Sequence, residues 1–206
     1  MIGSLALAFL LQGAPPAAAP HHQVVPLAAD GALKTRGAPY EVVSGDPRTP
    51  GAPFVIRIYN YDNQVVAPHW HPTDEHVVVL KGSWLVGGGD VFERSALREL
   101  KTGDYVFFPK EMRHFALSKG DTVIQVHGVG PFKINFVDTW LFLSRPSDSA
   151  RFGFKAGDRV RSRSRGEGHV REGVFSEKNA VKQYVIERDD GTAFWEFEDE
   201  LHPVAR

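Results

Sequence analysis

The sequence has no cysteine among its 206 residues, which removes disulfides, thiolate metal sites, CxxC redox chemistry and cysteine nucleophiles together. Histidine and carboxylates are the side chains left to hold a metal. Net charge is nearly absent as well. Lys and Arg number 24 against 25 Asp and Glu, a formal -1, so no overall field draws in nucleic acid or an anionic membrane. The most apolar stretch, Ile2 to Leu11, is too short to span a bilayer. Long amphipathic helical patterns are missing too. What is present is 42% hydrophobic residues with 14 Phe, 4 Trp and 5 Tyr, enough for a buried core. Twenty Gly and 14 Pro punctuate short Val- and Phe-rich runs, which points to many turns and to an all-β chain.

The chain divides by composition. Residues 1–19 join the apolar stretch to the small-residue run Ala14 to Ala19 and read as a secretory signal or an apolar N-terminal segment. No Lys or Arg precedes the run, and Pro20 follows the Ala-x-Ala triplet. Export makes the protein periplasmic or secreted, and a cytoplasmic location is the alternative. Residues 20–39 form an arm. From Tyr40 to Leu143 short strand-like runs recur with Gly or Pro between them, the pattern of a closed barrel or sandwich that hides its edges. Residues 144–152 are polar, contain Pro146 and read as a linker. Residues 153–206 then form a second, small β unit, with Asp189-Asp190-Gly191 as a hairpin signal.

Chemistry concentrates in Pro68-His69-Trp70-His71-Pro72-Thr73-Asp74-Glu75. Two His separated by one residue project from the same face of a strand, so both imidazoles can address one ion. Glu75, across a short turn, opens the next apolar strand and can return its carboxylate to the same point. Further on, Gly103 to His114 delivers another His directly after a turn.

These residues resemble the cupin superfamily. His69, His71, Glu75 and Gly82 match its first motif, G-x5-H-x-H-x3-4-E-x6-G, with Asn63 in place of the leading Gly. Gly103, Pro109 and His114 match its second, G-x5-P-x-G-x2-H-x3-N, with Glu111 in place of the middle Gly and Ser118 in place of the Asn. The resemblance runs from about Tyr40 to Val137. It implies a jelly-roll-type β-barrel holding one divalent transition metal on His69, His71, Glu75 and His114. Three imidazoles and a carboxylate leave open positions that suit Mn, Fe, Ni or Co, and Cu or Zn with altered geometry. The last fifty residues resemble small SH3-like barrels through Gly157 to Val160 and Phe197 to Leu201.

Other residues carry weaker signals. Gln125 and His127 share one strand face, and if that face looks inward they stand beside the ion as catalytic hydrogen-bonding or acid/base groups. His76, next to Glu75, belongs to the opposite face. Val78 and Leu80 share that face and are apolar, as expected if another sheet or a partner covers it, which leaves room for a homodimer. Trp84, Phe107 and Phe115 either line a pocket or pack a core. Arg159, Arg161, Arg163 and Arg165 alternate along one face, but seven acidic residues between Glu187 and Glu200 make the unit dipolar and argue against nucleic acid. The function expected is a metal-dependent dioxygenase-type oxidoreductase acting on a small-molecule substrate, though a decarboxylase would use the same ligands. A non-enzymatic metal- or ligand-binding module with a C-terminal docking domain is the alternative.

Overall fold

The computed structural model describes residues 24–27, 40–138, 140–143, 146–178 and 181–204. The expected signal segment and most of the arm lie outside the described residues, as do residues 144 and 145 of the expected linker. The described chain is all-β. An eight-stranded antiparallel sheet contains β1 (Glu41–Gly45), β2 (Pro53–Asn60), β3 (Val65–Trp70), β4 (Glu75–Gly88), β5 (Arg98–Lys101), β6 (Tyr105–Phe108), β7 (His114–Val129) and β8 (Asn135–Phe136). A six-stranded antiparallel sheet contains β9 (Leu141–Phe142), β10 (Arg159–Ser162), β11 (Gly166–Ser176), β12 (Val181–Glu187), β13 (Ala193–Phe197) and β14 (Leu201–Pro203). Among the described residues no helix is long and apolar enough to cross a membrane.

The two longest strands organise the first sheet. β7 pairs with β4 along its length on one edge, and with β2 and β3 on the other. β4 carries β6 beside its first half and β5 beside its second. Register shifts between Val79 and Ser83 bend β4, and Gly82 sits at the bend with φ 74°. A Cβ at Gly82 would lie 2.7 Å from the Asp121 carbonyl oxygen, so both the backbone angle and the close approach require glycine.

Alternation sets the inside. Val77 and Val79 of β4, Ile124 and Val126 of β7, and Phe54 and Ile56 of β2 interleave as one buried cluster with Trp84 and Phe108. A second cluster inside the C-terminal sheet joins Val160, Val170, Tyr184, Ile186 and Phe194. The hairpin signal is realised: β12 and β13 are joined through Gly191, at φ 82°. One strand falls elsewhere than its place in the chain implies. Leu141–Phe142 pairs with β11, and Leu143 enters the second cluster, because Gly173 offers its carbonyl to the Leu143 amide.

The two sheets share a buried seam. Phe92 and Phe115 from the barrel pack with Val181 and Phe197 from the C-terminal sheet. Polar bonds reinforce them at the turn before β3. Asn63 Nδ2 donates to the Trp195 carbonyl at 3.0 Å and to Glu196 Oε1 at 2.9 Å, while Gln183 Nε2 donates to the Asn63 carbonyl at 2.7 Å. The buried Glu196 carboxylate also accepts from Ser162 Oγ at 2.6 Å and Arg165 Nη1 at 3.1 Å. The arginine alternation of the tail is thereby accounted for: Arg165 turns into the seam, whereas Arg159 and Arg161 pair with Glu167 and Arg163 with Glu200.

Asn63 and Glu111 stand where the resembled motifs have glycine. They are the non-glycine residues with positive φ among those described, both at 64°. Asn adopts this region at little cost, whereas Glu is held there against a penalty of roughly 1–2 kcal/mol. The Glu111 amide donates to the His71 carbonyl at 2.8 Å, which ties the strained turn to the histidine pair. Asn63→Gly keeps the backbone shape but strips donors from Glu196 and the Trp195 carbonyl, and is expected to cost about 1–3 kcal/mol in denaturant unfolding. Glu111→Gly, relieving strain, is expected to leave stability equal or higher. An Asn63→Gly protein as stable as wild type would show that the seam does not depend on this amide.

Candidate metal centre

His69 lies near the end of β3, His71 just beyond it, Glu75 opens β4 and His114 opens β7. His69 and His114 are direct partners across β3 and β7. Glu75 reaches them differently. It is paired with Gly128, at the far end of β7 from His114, so the two meet only because the long strands curl round on each other. All four side chains are buried, none more than 5% exposed.

Each imidazole is fixed at Nδ1 by a backbone carbonyl. His69 bonds to Ala67 at 2.6 Å, His71 to Lys133 at 3.0 Å and His114 to Met112 at 3.0 Å. A carbonyl only accepts, so the hydrogen is on Nδ1 and each neutral ring keeps its lone pair on Nε2. Aromatic rings hold the planes. His71 stacks on Phe132 at 4.9 Å between centroids, and His114 on Phe108 at 4.0 Å. His69 tilts against Phe136 at 6.1 Å.

The three rings each present a nitrogen to one point, and these nitrogens lie within 4.8 Å of one another. Glu75 Oε2 approaches His114 Nε2 to 3.3 Å and His71 Nε2 to 3.5 Å. His71 Nε2, His114 Nε2 and Glu75 Oε2 are buried and have no hydrogen-bond partner. Burial also opposes protonation. Desolvation first, then the neighbouring His114 and His71, lowers the His69 pKa to about 3, and desolvation lowers that of His71. Converging lone pairs on neutral rings, beside an unpartnered carboxylate oxygen, make a donor set that fits a divalent cation.

Of the two placings open to Gln125 and His127, the structure has the outward one. Ile124 and Val126 take the inside of β7, and Ile124 lines the cavity holding the imidazoles, so the residues between and beyond them face outward. Gln125 Nε2 donates to His127 Nε2 at 3.0 Å, and Arg57 Nε donates to Gln125 Oε1 at 3.2 Å. His127 lines a separate surface hollow with His76 and Lys110. Desolvation and His76 lower the His127 pKa. Of the three aromatics singled out, Trp84 lines the imidazole cavity, Phe115 packs the seam and Phe107 is exposed on the outer face. The sequence reading missed Asp138. It lines the same cavity as the imidazoles, and its Oδ2 accepts from Ser176 Oγ at 2.7 Å. It follows a two-residue strand with no motif around it, so nothing in the sequence marks it.

Strand curl and donor set together make a β-barrel with a candidate metal site. Residues 49–131 match the cupin family. Germin-like protein 2-4 of Oryza sativa subsp. japonica is 39% identical over 62 residues, which are 30% of this chain and 27% of that protein. The chain thus spans about a quarter of the length of the curated relative it matches. A solved conserved protein with a double-stranded β-helix domain from Klebsiella pneumoniae subsp. pneumoniae is 18% identical, with a TM-score of 0.43 over 58% of this chain and 100% of its own. An oxalate oxidase structure is 23% identical, with a TM-score of 0.35 over 41% of this chain and 46% of its own.

The lowered His69 pKa has a stability consequence in metal-free protein. The ring titrates near 6.5 when unfolded and near 3 when folded, so the unfolded chain binds more protons over that interval. Stability is complete above about pH 6.5 and is lost as pH falls towards about 3. The expected measurement is a melting temperature of metal-free protein that declines steadily from pH 7 to pH 4. Replacing His69 with Gln should flatten that decline. An unchanged slope would place the acid sensitivity at other groups.

Proposed function

We propose that the protein is a metal-dependent cupin enzyme, an oxidoreductase of dioxygenase type acting on a small molecule. The observation that carries the reading is the convergence of three neutral imidazoles, each locked at Nδ1, on one buried and unpartnered carboxylate oxygen. His69, His71, Glu75 and His114 would hold the ion. A bound divalent ion supplies Lewis-acid and, for Fe, Mn, Co, Ni or Cu, redox chemistry at open positions, while Zn would supply only the former. The chain's own groups do the rest. Apolar walls exclude water, and Asp138, held by Ser176, is the side chain proposed to accept or return a proton.

The non-enzymatic alternative draws on a specific observation: Gln125 and His127, the acid/base pair read from the sequence, stand on the outer face. The C-terminal sheet is proposed to be an SH3-like barrel and residues 1–19 to direct export, both on sequence pattern. A homodimer is proposed through the outer face, where Tyr105, Phe107 and Val129 are exposed.

Two variants separate the roles. Wild type purified without added metal and refilled with each candidate ion is expected to retain about one ion per chain, by the ligand count. His71→Ala should lose the ion. Asp138→Asn should keep it and reduce turnover by about a hundredfold or more, the scale of a lost general acid/base. Oxygen uptake across phenolic and oxo-acid substrates is the readout. Folded wild type that retains no ion would contradict the metal centre. Full metal retention with no turnover of any candidate would favour the non-enzymatic binding module.

A further inference from the structure

The four side chains of the centre are not held alike. His69 and His114 are direct partners in the β3–β7 ladder, and Glu75 is the first residue of β4. His71 lies outside both strands, in the turn that joins β3 to β4. Its position is therefore set by other parts of the chain. The Glu111 amide donates to the His71 carbonyl at 2.8 Å, and His71 Nδ1 donates to the Lys133 carbonyl at 3.0 Å. The imidazole lies on the Phe132 ring, with 4.9 Å between centroids and 15° between planes.

Two of these three holds come from consecutive residues, Phe132 and Lys133. The segment they begin is pinned at both ends: the Phe132 amide donates to the Pro47 carbonyl at 2.6 Å, and the Val137 amide to the Pro68 carbonyl at 2.9 Å. Other rings set the plane of Phe132. Tyr40 meets it edge-on at 5.9 Å and Phe54 tilts against it at 5.5 Å. A single hydrogen bond at Nδ1 fixes one point of an imidazole and leaves the ring able to rock about that bond, whereas a flat neighbour along its face removes the rocking. His69 is a contrasting case. Phe136 meets it at 57° and 6.1 Å and is 58% exposed, while the His69 backbone is already paired with β7 on one side and β8 on the other.

We propose that Phe132 is a positioning residue of the metal centre: its ring holds His71 in the plane that carries Nε2 to the ion, a task that strand pairing performs for His69 and His114. The proposal rests on the metal reading above and deepens it. It makes the two aromatic neighbours unequal, because Phe132 braces a ligand in a turn and Phe136 covers one that its strand already sets. Losing a group that orients a ligand from outside the coordination shell costs about 10–100-fold in metal affinity.

The test uses full-length protein, stripped of metal and titrated with Co(II), whose visible spectrum reports the groups that bind it. Phe132→Leu, apolar but without a flat face, is expected to bind Co(II) about 10–100-fold more weakly than wild type and with a shifted spectrum. Phe132→Tyr restores the ring and should return both readouts to wild type. Phe136→Leu should leave both unchanged. Should Phe132→Leu fail to fold by circular dichroism, Phe132→Met takes its place with the same expectation. Wild-type affinity and spectrum in folded Phe132→Leu or Phe132→Met protein would overturn the proposal, as would an equal loss in Phe136→Leu or a Phe132→Tyr protein as weak as Phe132→Leu. Failure of the folded wild type to take up Co(II) would instead contradict the metal centre. The two claims therefore fail by different results.

Discussion

Three buried imidazoles whose Nδ1 hydrogens are committed to the Ala67, Lys133 and Met112 carbonyls impose the central constraint on this fold. With the hydrogens so placed, the Nε2 lone pairs face one another and Glu75 Oε2 without a proton between them. His71 Nε2, His114 Nε2 and Glu75 Oε2 are buried and have no hydrogen-bond partner. Leaving such atoms unpaired is costly, and a cation is the one kind of partner that all of them can share. The curl of β4 and β7, the bend at Gly82 and the aromatic rings beside each imidazole serve to bring these four side chains to one place.

The C-terminal sheet belongs to the same argument. It covers the outer side of Phe115 in β7, whose neighbours His114 and Ala116 face inward, and it closes part of the cavity wall. The Glu196 carboxylate, buried among Asn63, Ser162 and Arg165, holds the two sheets in register where the cavity needs them. A buried charge of this kind is weak as a source of stability and strong as a source of geometry, because it tolerates few alternative arrangements. Truncation of the tail would thus act on the cavity as well as on the seam.

Much of this was legible in the sequence, for physical reasons that can be named. Period-two spacing places His69 and His71 on one face, and the same rule pairs Gln125 with His127. Spacing gives the pairing but not the side. Which face of β7 looks inward is decided by Ile124 and Val126 packing against Ile56 and Val77, a tertiary fact that strand parity alone does not contain. In the sequence, Asn63 and Glu111 stand in place of the motif glycines. Their positive φ shows that the backbone shape is kept without glycine, and the Asn63 amide has acquired partners in a sheet more than a hundred residues away. Asp138, Trp195 and Val174 could not be found from local pattern, because the cavity they line is assembled from two sheets.

The claim that most needs a direct answer is that the four side chains hold one ion between Nε2 of the imidazoles and Glu75 Oε2. An anomalous difference map from crystals of the metal-loaded protein, collected at the absorption edge of the loaded ion, gives it. The account predicts a single strong peak within bonding distance of His69, His71 and His114 Nε2 and of the Glu75 carboxylate. A featureless map at that point, or a peak elsewhere with the four side chains still unpartnered, would contradict it.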